Sequence, residues 1–204
     1  MVYKYQKTTP DWMYHQANLD AEKLPDIQKE LLKLLVMTKK QNLVEYTSTF
    51  VTVEKELVCK TCPLMMEELC RLGLHNNFSV LAFISVQSDR DFPPHVDVEC
   101  DIGLNIPVIN CKGTETVWYD GKIKDQTVPI YVIGSKSVEV SRIADPMTVT
   151  EIGRCDANIP HWINVNMFHR PETHHDKLRI AASLRFYPEP LDENRQLWPH
   201  LIKE

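Results

Sequence analysis

His95 and Asp97 stand two apart in "FPPHVD", directly after two prolines. On a strand, side chains alternate, so this pair faces one way and Val96 the other. An imidazole beside a carboxylate on one strand face is half of a divalent-metal site, or else a pair of surface side chains. A third ligand decides between the two. The other histidines are His15, His75, His161, His169, His174, His175 and His200. His161 lies in "NIPHWINVN", where Pro160 keeps Ile159 extended and the alternation that follows predicts a strand. From Asp97 to His161 is 161 − 97 = 64 residues. At about ten to twelve residues per strand and turn, that is roughly five or six elements. A sheet folded over itself can return a late strand beside an early one over that distance. His169, His174 and His175 fall in "FHRPETHHD", which reads as a polar loop, and His15 and His75 belong to the helical half. The expected ligand set is therefore His95, Asp97 and His161.

Two histidines and one carboxylate leave coordination positions open, the arrangement non-haem Fe(II) oxygenases use. Open positions let a cosubstrate and O2 reach the same ion, and a single carboxylate leaves the site cationic, receptive to an anionic chelator. A candidate partner for such an anion follows in "KLRIAASLRFYPEP". Alternation puts Arg179, Ala181, Ser183 and Arg185 on one face and Leu178, Ile180, Ala182, Leu184 and Phe186 on the other. Arginines facing inward are costly unless they meet an anion, and the small residues between them leave room for one. A guanidinium clamps a carboxylate through two parallel hydrogen bonds, and a serine hydroxyl can add a third. The alternative is that this face shows its arginines to solvent.

The elements that must position these residues are legible in outline. "DIQKELLKLLVMTKK" sets Ile27, Leu31, Leu34 and Leu35 on one helical stripe, and residues 63–75 form a second helix opened near Thr61. After Asn77 come short β-branched or aromatic runs: "FSVLAFISV", "GLNIPVIN", "TETVWYD", "VPIYVIG", "SVEVSRI", "MTVTEIG", "HWINVN" and "LRIAASLRFY". Turn-forming segments separate them, which predicts a β-sandwich or barrel-like jelly roll with helices packed on one sheet. The expected organisation is one α+β domain, mainly β. Residues 1–77 are helix-rich, 78–187 form the strand core and 188–204 a proline-interrupted surface arm. Cys59 and Cys62 form a CxxC, but the nearby Cys70 and His75 sit in or at the end of a helix, so no structural zinc is expected. A net charge of −5 argues against nucleic-acid or anionic-membrane partners. No apolar run approaches a membrane span and the opening residues lack a signal-peptide core, which together predict a cytoplasmic protein. GxSxG, GxxxxGK[ST] and GxGxxG motifs are all absent from a chain with six glycines.

Taken together, "HVD", "PHWINV" and "RIAASLRF" resemble the HxD…H…R pattern of Fe(II)- and 2-oxoglutarate-dependent oxygenases. "PPHVD", "LNIPV" and "TVWYDG" are similar to the core of small prolyl- and aspartyl/asparaginyl-hydroxylase-like members, including bacterial and phage ones. The resemblance spans roughly residues 78–187 and implies a double-stranded β-helix, a relative of the jelly roll and the cupins. It implies that His95, Asp97 and His161 bind Fe(II) and that Arg179 pairs with the distal carboxylate of 2-oxoglutarate, with Ser183 a further contact. Asn105 and Tyr119 are candidates for the other carboxylate, and Arg185 for cosubstrate or substrate, as in some nucleic-acid demethylases of the superfamily. The implied partners are a small-molecule cosubstrate, O2 and a peptide or protein side chain to be hydroxylated. Two other readings compete: a non-enzymatic jelly-roll binding or phage structural module, and a cupin-type metalloenzyme that does not use 2-oxoglutarate. The first needs neither open metal positions nor a carboxylate clamp; the second calls for more histidine ligands and no arginine.

Overall fold

Ile27, Leu31, Leu34 and Leu35 are all buried, on the inner stripe of helix α1 (Leu24–Lys40). Two short helices follow, α2 (Lys55–Thr61) and α3 (Pro63–Arg71). Thr61 thus ends α2 and does not open α3; Pro63 occupies the first turn of α3, where a missing N–H costs nothing. The carboxylate of Glu30 on α1 accepts from the backbone N–H groups of Leu64 and Met65, at 3.1 Å each. It satisfies two donors of the positive end of α3 and ties the helices together. In this computed structural model the described residues are 12–40, 50–86, 93–97, 100–130 and 138–204.

The strands are β1 (Tyr14–Gln16), β2 (Phe50–Val53), β3 (Phe78–Val86), β4 (His95–Asp97), β5 (Ile102–Ile109) and β6 (Thr114–Asp120). They continue with β7 (Ile123–Ile130), β8 (Val138–Ala144), β9 (Thr150–Asp156), β10 (His161–Asn164), β11 (Phe168–Thr173) and β12 (Arg179–Phe186). They form two antiparallel sheets, ordered β1-β10-β5-β12-β3-β2 and β7-β8-β4-β11-β6-β9. One face of the first sheet carries Leu81, Phe83, Leu104, Ile106, Trp162, Ile180, Ala182, Leu184 and Phe186, which share a core with the three helices. Period 2 then turns Gly103, Asn105, His161, Arg179, Ala181, Ser183 and Arg185 toward the second sheet. Side-chain contacts from Arg185 to Asp97 and from His161 to Thr116 join the sheets across that face. The fold is mainly β, with its helices on one sheet as the patterning predicts.

Differences from the sequence expectation are instructive. β1, β2 and α2 are too short to carry a periodic signal. The run "VPIYVIG" overlaps the end of β7, and its remainder lies outside the described residues. β11 stands where a polar loop is expected, because Pro171 interrupts the pattern, and proline is ordinarily confined to strand edges. The structure accommodates it: β4 meets β11 only at His95–His169, so β6 is the partner assigned to Pro171 among the described residues. The C-terminal arm is a packed element and not a surface appendage. Leu197 and Leu201 are buried, and the Lys203 N–H donates to Gln16 O at 3.0 Å beside β1. Glu189 accepts from the Asp101 N–H, and Arg195 pairs with the Asp101 carboxylate. The arm therefore grips the segment that follows β4. Among the described residues no helix is long and apolar enough to cross a membrane.

Cys59 and Cys70 are exposed while Cys62 is buried, and burial pushes the Cys62 thiol up to about 12, away from the thiolate a metal needs. Cys59→Ser is expected to leave metal content and melting temperature unchanged, checked by elemental analysis beside a thermal melt.

Candidate metal centre

β4 and β11 run antiparallel with His95 directly opposite His169. Their rings lie 4.6 Å apart between centroids, and Asp97 projects from the same face one pleat along. His95, Asp97 and His169 form a group that could hold a metal ion, their ligand atoms all within 4.8 Å of one another. Donors about 2.0–2.2 Å from an ion and at right angles around it would be about 3 Å apart, so small side-chain rotations suffice. Each imidazole is oriented by its own backbone: Nδ1 of His95 donates to Pro93 O and Nδ1 of His169 to Met167 O, both at 3.0 Å. That fixes the tautomer whose Nε2 carries a lone pair, and Nε2 of His95 lies 3.7 Å from Asp97 Oδ1. Burial lowers the pKa of both imidazoles, that of His169 to about 4, so they are neutral at physiological pH. Burial works against the Asp97 anion, but Arg185 brings its pKa below the ordinary carboxylate value. Two neutral imidazoles and one ionised carboxylate fit a divalent cation.

The third member is thus His169 and not His161. His161 lies on β10, which pairs with β5 in the other sheet, at the register His161–Asn105. It does face inward, but its Nδ1 donates to Ile159 O at 2.7 Å and its Nε2 accepts from the Thr116 hydroxyl at 3.4 Å. A turn of the chain between β10 and β11 carries it from one sheet to the other, which spacing along the sequence could not reveal. The signal for His169 was present in the alternation of Phe168, Arg170 and Glu172 with His169, Pro171 and Thr173, masked by the proline. His174 and His175 are engaged elsewhere, with Glu115 and Asn110 O.

The first sheet contributes a polar row. Arg185 donates through Nη2 to Asp97 Oδ2 at 2.8 Å and through Nη1 to Ser183 Oγ at 2.6 Å. Ser183 donates to Asn105 Oδ1 at 2.6 Å. At the far end of β12, Arg179 is only 2% exposed, and its Nε has no hydrogen-bond partner. Among the described residues no carboxylate lies within ion-pair distance of it, and burial pulls its pKa down. The Thr173 hydroxyl, on the inward face of β11, is also buried without a partner. The hydrogen-bond partner of Arg179 is the Cys111 side chain, and a desolvated cation without a carboxylate beside it is expensive and points to an anionic ligand.

Tyr119 is not part of this constellation. It pairs with Phe168, turns to the other face of the second sheet, and donates to Glu172 at 2.5 Å. Trp118 and Trp162 are fully buried, their indole N–H groups donating to Asn164 O and Leu201 O at 3.1 Å each.

The burial of His161 has a measurable consequence. Its pKa falls from 6.5 to about 4, chiefly through burial. Below 6.5 the unfolded chain binds this proton and the folded chain does not. The stability it contributes is therefore complete above 6.5 and lost as pH falls through 4, about 3 kcal/mol in full. Urea titrations of metal-free protein across that window should show the decline, with a slope shallower by one proton in His161→Asn.

No family model and no curated protein matches the chain. Among solved structures, E. coli ycfD ("X-Ray structure of E. coli ycfD") is similar at 13% identity with a TM-score of 0.37. The match covers 63% of this chain and 31% of that one, so the chain spans about a third of its length.

Proposed function

We propose that this chain is an Fe(II)- and 2-oxoglutarate-dependent oxygenase that hydroxylates a C–H bond, built on a double-stranded β-helix. The observation that carries the reading is the pairing of two features on facing sheets. One is an ionised Asp97 between two neutral histidines; the other is a buried Arg179 with no carboxylate of its own. The strand order supports the scaffold, since β3, β5, β10 and β12 lie in one sheet and β4, β6, β9 and β11 in the other. The chain thus alternates between the sheets from β3 to β6 and again from β9 to β12, while β7 and β8 extend the second sheet beside β4.

His95, Asp97 and His169 would hold the iron, which when bound supplies the oxygen chemistry that couples decarboxylation of 2-oxoglutarate to hydroxylation. The chain's own residues do the rest. Arg179 binds the distal carboxylate and sets the depth at which the cosubstrate lies. Ala181 leaves space beside it, and the unmatched Thr173 hydroxyl is available to the same anion. Asp97 balances only one unit of charge, and Arg185 returns it, so the centre keeps the positive character that draws a dianionic cosubstrate. The helix-covered apolar face behind the first sheet keeps water from the charges on its other side. A peptidyl side chain is the substrate class that the sequence resemblance implies.

A cupin-type centre without 2-oxoglutarate would call for more histidines than the two grouped with Asp97, and would leave Arg179 unexplained. A binding module would need neither feature. The test is oxygen-dependent formation of succinate from 2-oxoglutarate by Fe(II)-loaded protein, run over pools of peptides and small molecules. Succinate that appears only with oxygen and iron supports the proposal; none in any pool, from protein that has taken up iron, counts against it.

A further inference from the structure

Arg185 sits where three strands converge. Its Nη2 donates to Asp97 on β4, its Nη1 to Ser183 two residues back on β12, and Ser183 in turn donates to Asn105 on β5. A hydroxyl has one proton to give, and that of Ser183 is committed to Asn105 while its oxygen accepts from Arg185. Ser183 therefore has no proton left for a ligand carboxylate. The guanidinium lies against β5 at Gly103, where a Cβ would fall 1.8 Å from Nη1 and 2.8 Å from Cζ. Only a residue without a side chain leaves this berth open. Asp97 Oδ1 is the oxygen facing His95, and Oδ2 is the one that accepts from Arg185.

We infer that Arg185 is a positioning residue for the metal-binding carboxylate, set by Ser183 and Asn105 and admitted by Gly103, and that these residues serve the metal and not the cosubstrate. The inference rests on the metal centre proposed above. Holding Oδ2 fixes the carboxylate plane, so Oδ1 alone turns toward the histidines and Asp97 binds through one oxygen. Arg179, about 20 Å further along the strand at 3.3–3.4 Å per residue between Cα atoms, is left as the clamp for the distal carboxylate.

Co(II), added under nitrogen to the full chain and followed by its visible spectrum, reports the metal site with no turnover. Arg185→Gln should weaken Co(II) binding about 10- to 100-fold, the usual effect of losing a partner that orients a ligand. Its 2-oxoglutarate affinity, measured at saturating Co(II), should change far less. Gly103→Ala, which displaces the same guanidinium from a neighbouring strand, should weaken Co(II) in the same direction, and Arg185→Lys should recover part of the loss. Circular dichroism of each variant separates this from misfolding, and Gly103→Ala decides if Arg185→Gln does not fold. Unchanged Co(II) affinity in a folded variant, or a loss confined to 2-oxoglutarate, overturns the inference while wild-type metal binding leaves the centre standing. A wild-type chain that takes up no Co(II) overturns both.

Discussion

Replacing His169 by alanine should abolish stoichiometric Fe(II) binding, whereas His161→Ala should retain it. The contrast follows from the sheets: His169 lies opposite His95 on adjacent strands, while His161 lies on β10 in the facing sheet. Removing a ligand subtracts a bond to the ion, so the loss should exceed the about 10- to 100-fold typical of losing a ligand's orienting partner. Asp97→Ala should match His169→Ala, because it removes the one anionic ligand and leaves core volume nearly unchanged. Anaerobic equilibrium dialysis against Fe(II), with circular dichroism of each variant, checks all three. Iron retained in His169→Ala and lost in His161→Ala would restore the ligand set that spacing alone suggested.

That reversal marks how far the sequence could be read. Faces were legible: period 2 correctly put His95 with Asp97, and separated Arg179, Ala181, Ser183 and Arg185 from the apolar face of β12, because one face of each strand is committed to a core. Helix α1 was legible for the same reason. Partnership between strands was not. Which late strand returns beside β4 depends on how the chain crosses between sheets, and β10 and β11 are separated by only 165–167. The better-patterned "HWIN" hid the proline-interrupted "FHRPET". Tyr119 shows the limit of a one-residue distinction, since its neighbour Trp118 pairs with His169 while Tyr119 turns to the opposite face. The bond from Arg185 to Asp97 joins residues 88 apart and carries no local signature at all.

Arg179→Ala is expected to raise the dissociation constant for 2-oxoglutarate by roughly 30-fold or more. Truncating one partner of a buried, charge-assisted pair costs about 2–5 kcal/mol, and each 1.4 kcal/mol is about tenfold. Iron affinity should barely move, since Arg179 is not among the grouped ligands. Arg179→Lys should recover only part of the loss, because an ammonium cannot reproduce the two-pronged guanidinium contact. Calorimetric titration of the metal-loaded variants gives the affinities, and equal affinity in all three would leave a metal centre without its cosubstrate.

The most direct measurement is the anaerobic titration of Fe(II)-loaded protein with 2-oxoglutarate, followed through the absorption band of the iron chelate. A saturable band at one equivalent of iron is expected, absent in His169→Ala and shifted to roughly 30-fold higher 2-oxoglutarate in Arg179→Ala. A protein that binds iron yet develops no band, or whose band is indifferent to Arg179, would contradict the proposed function.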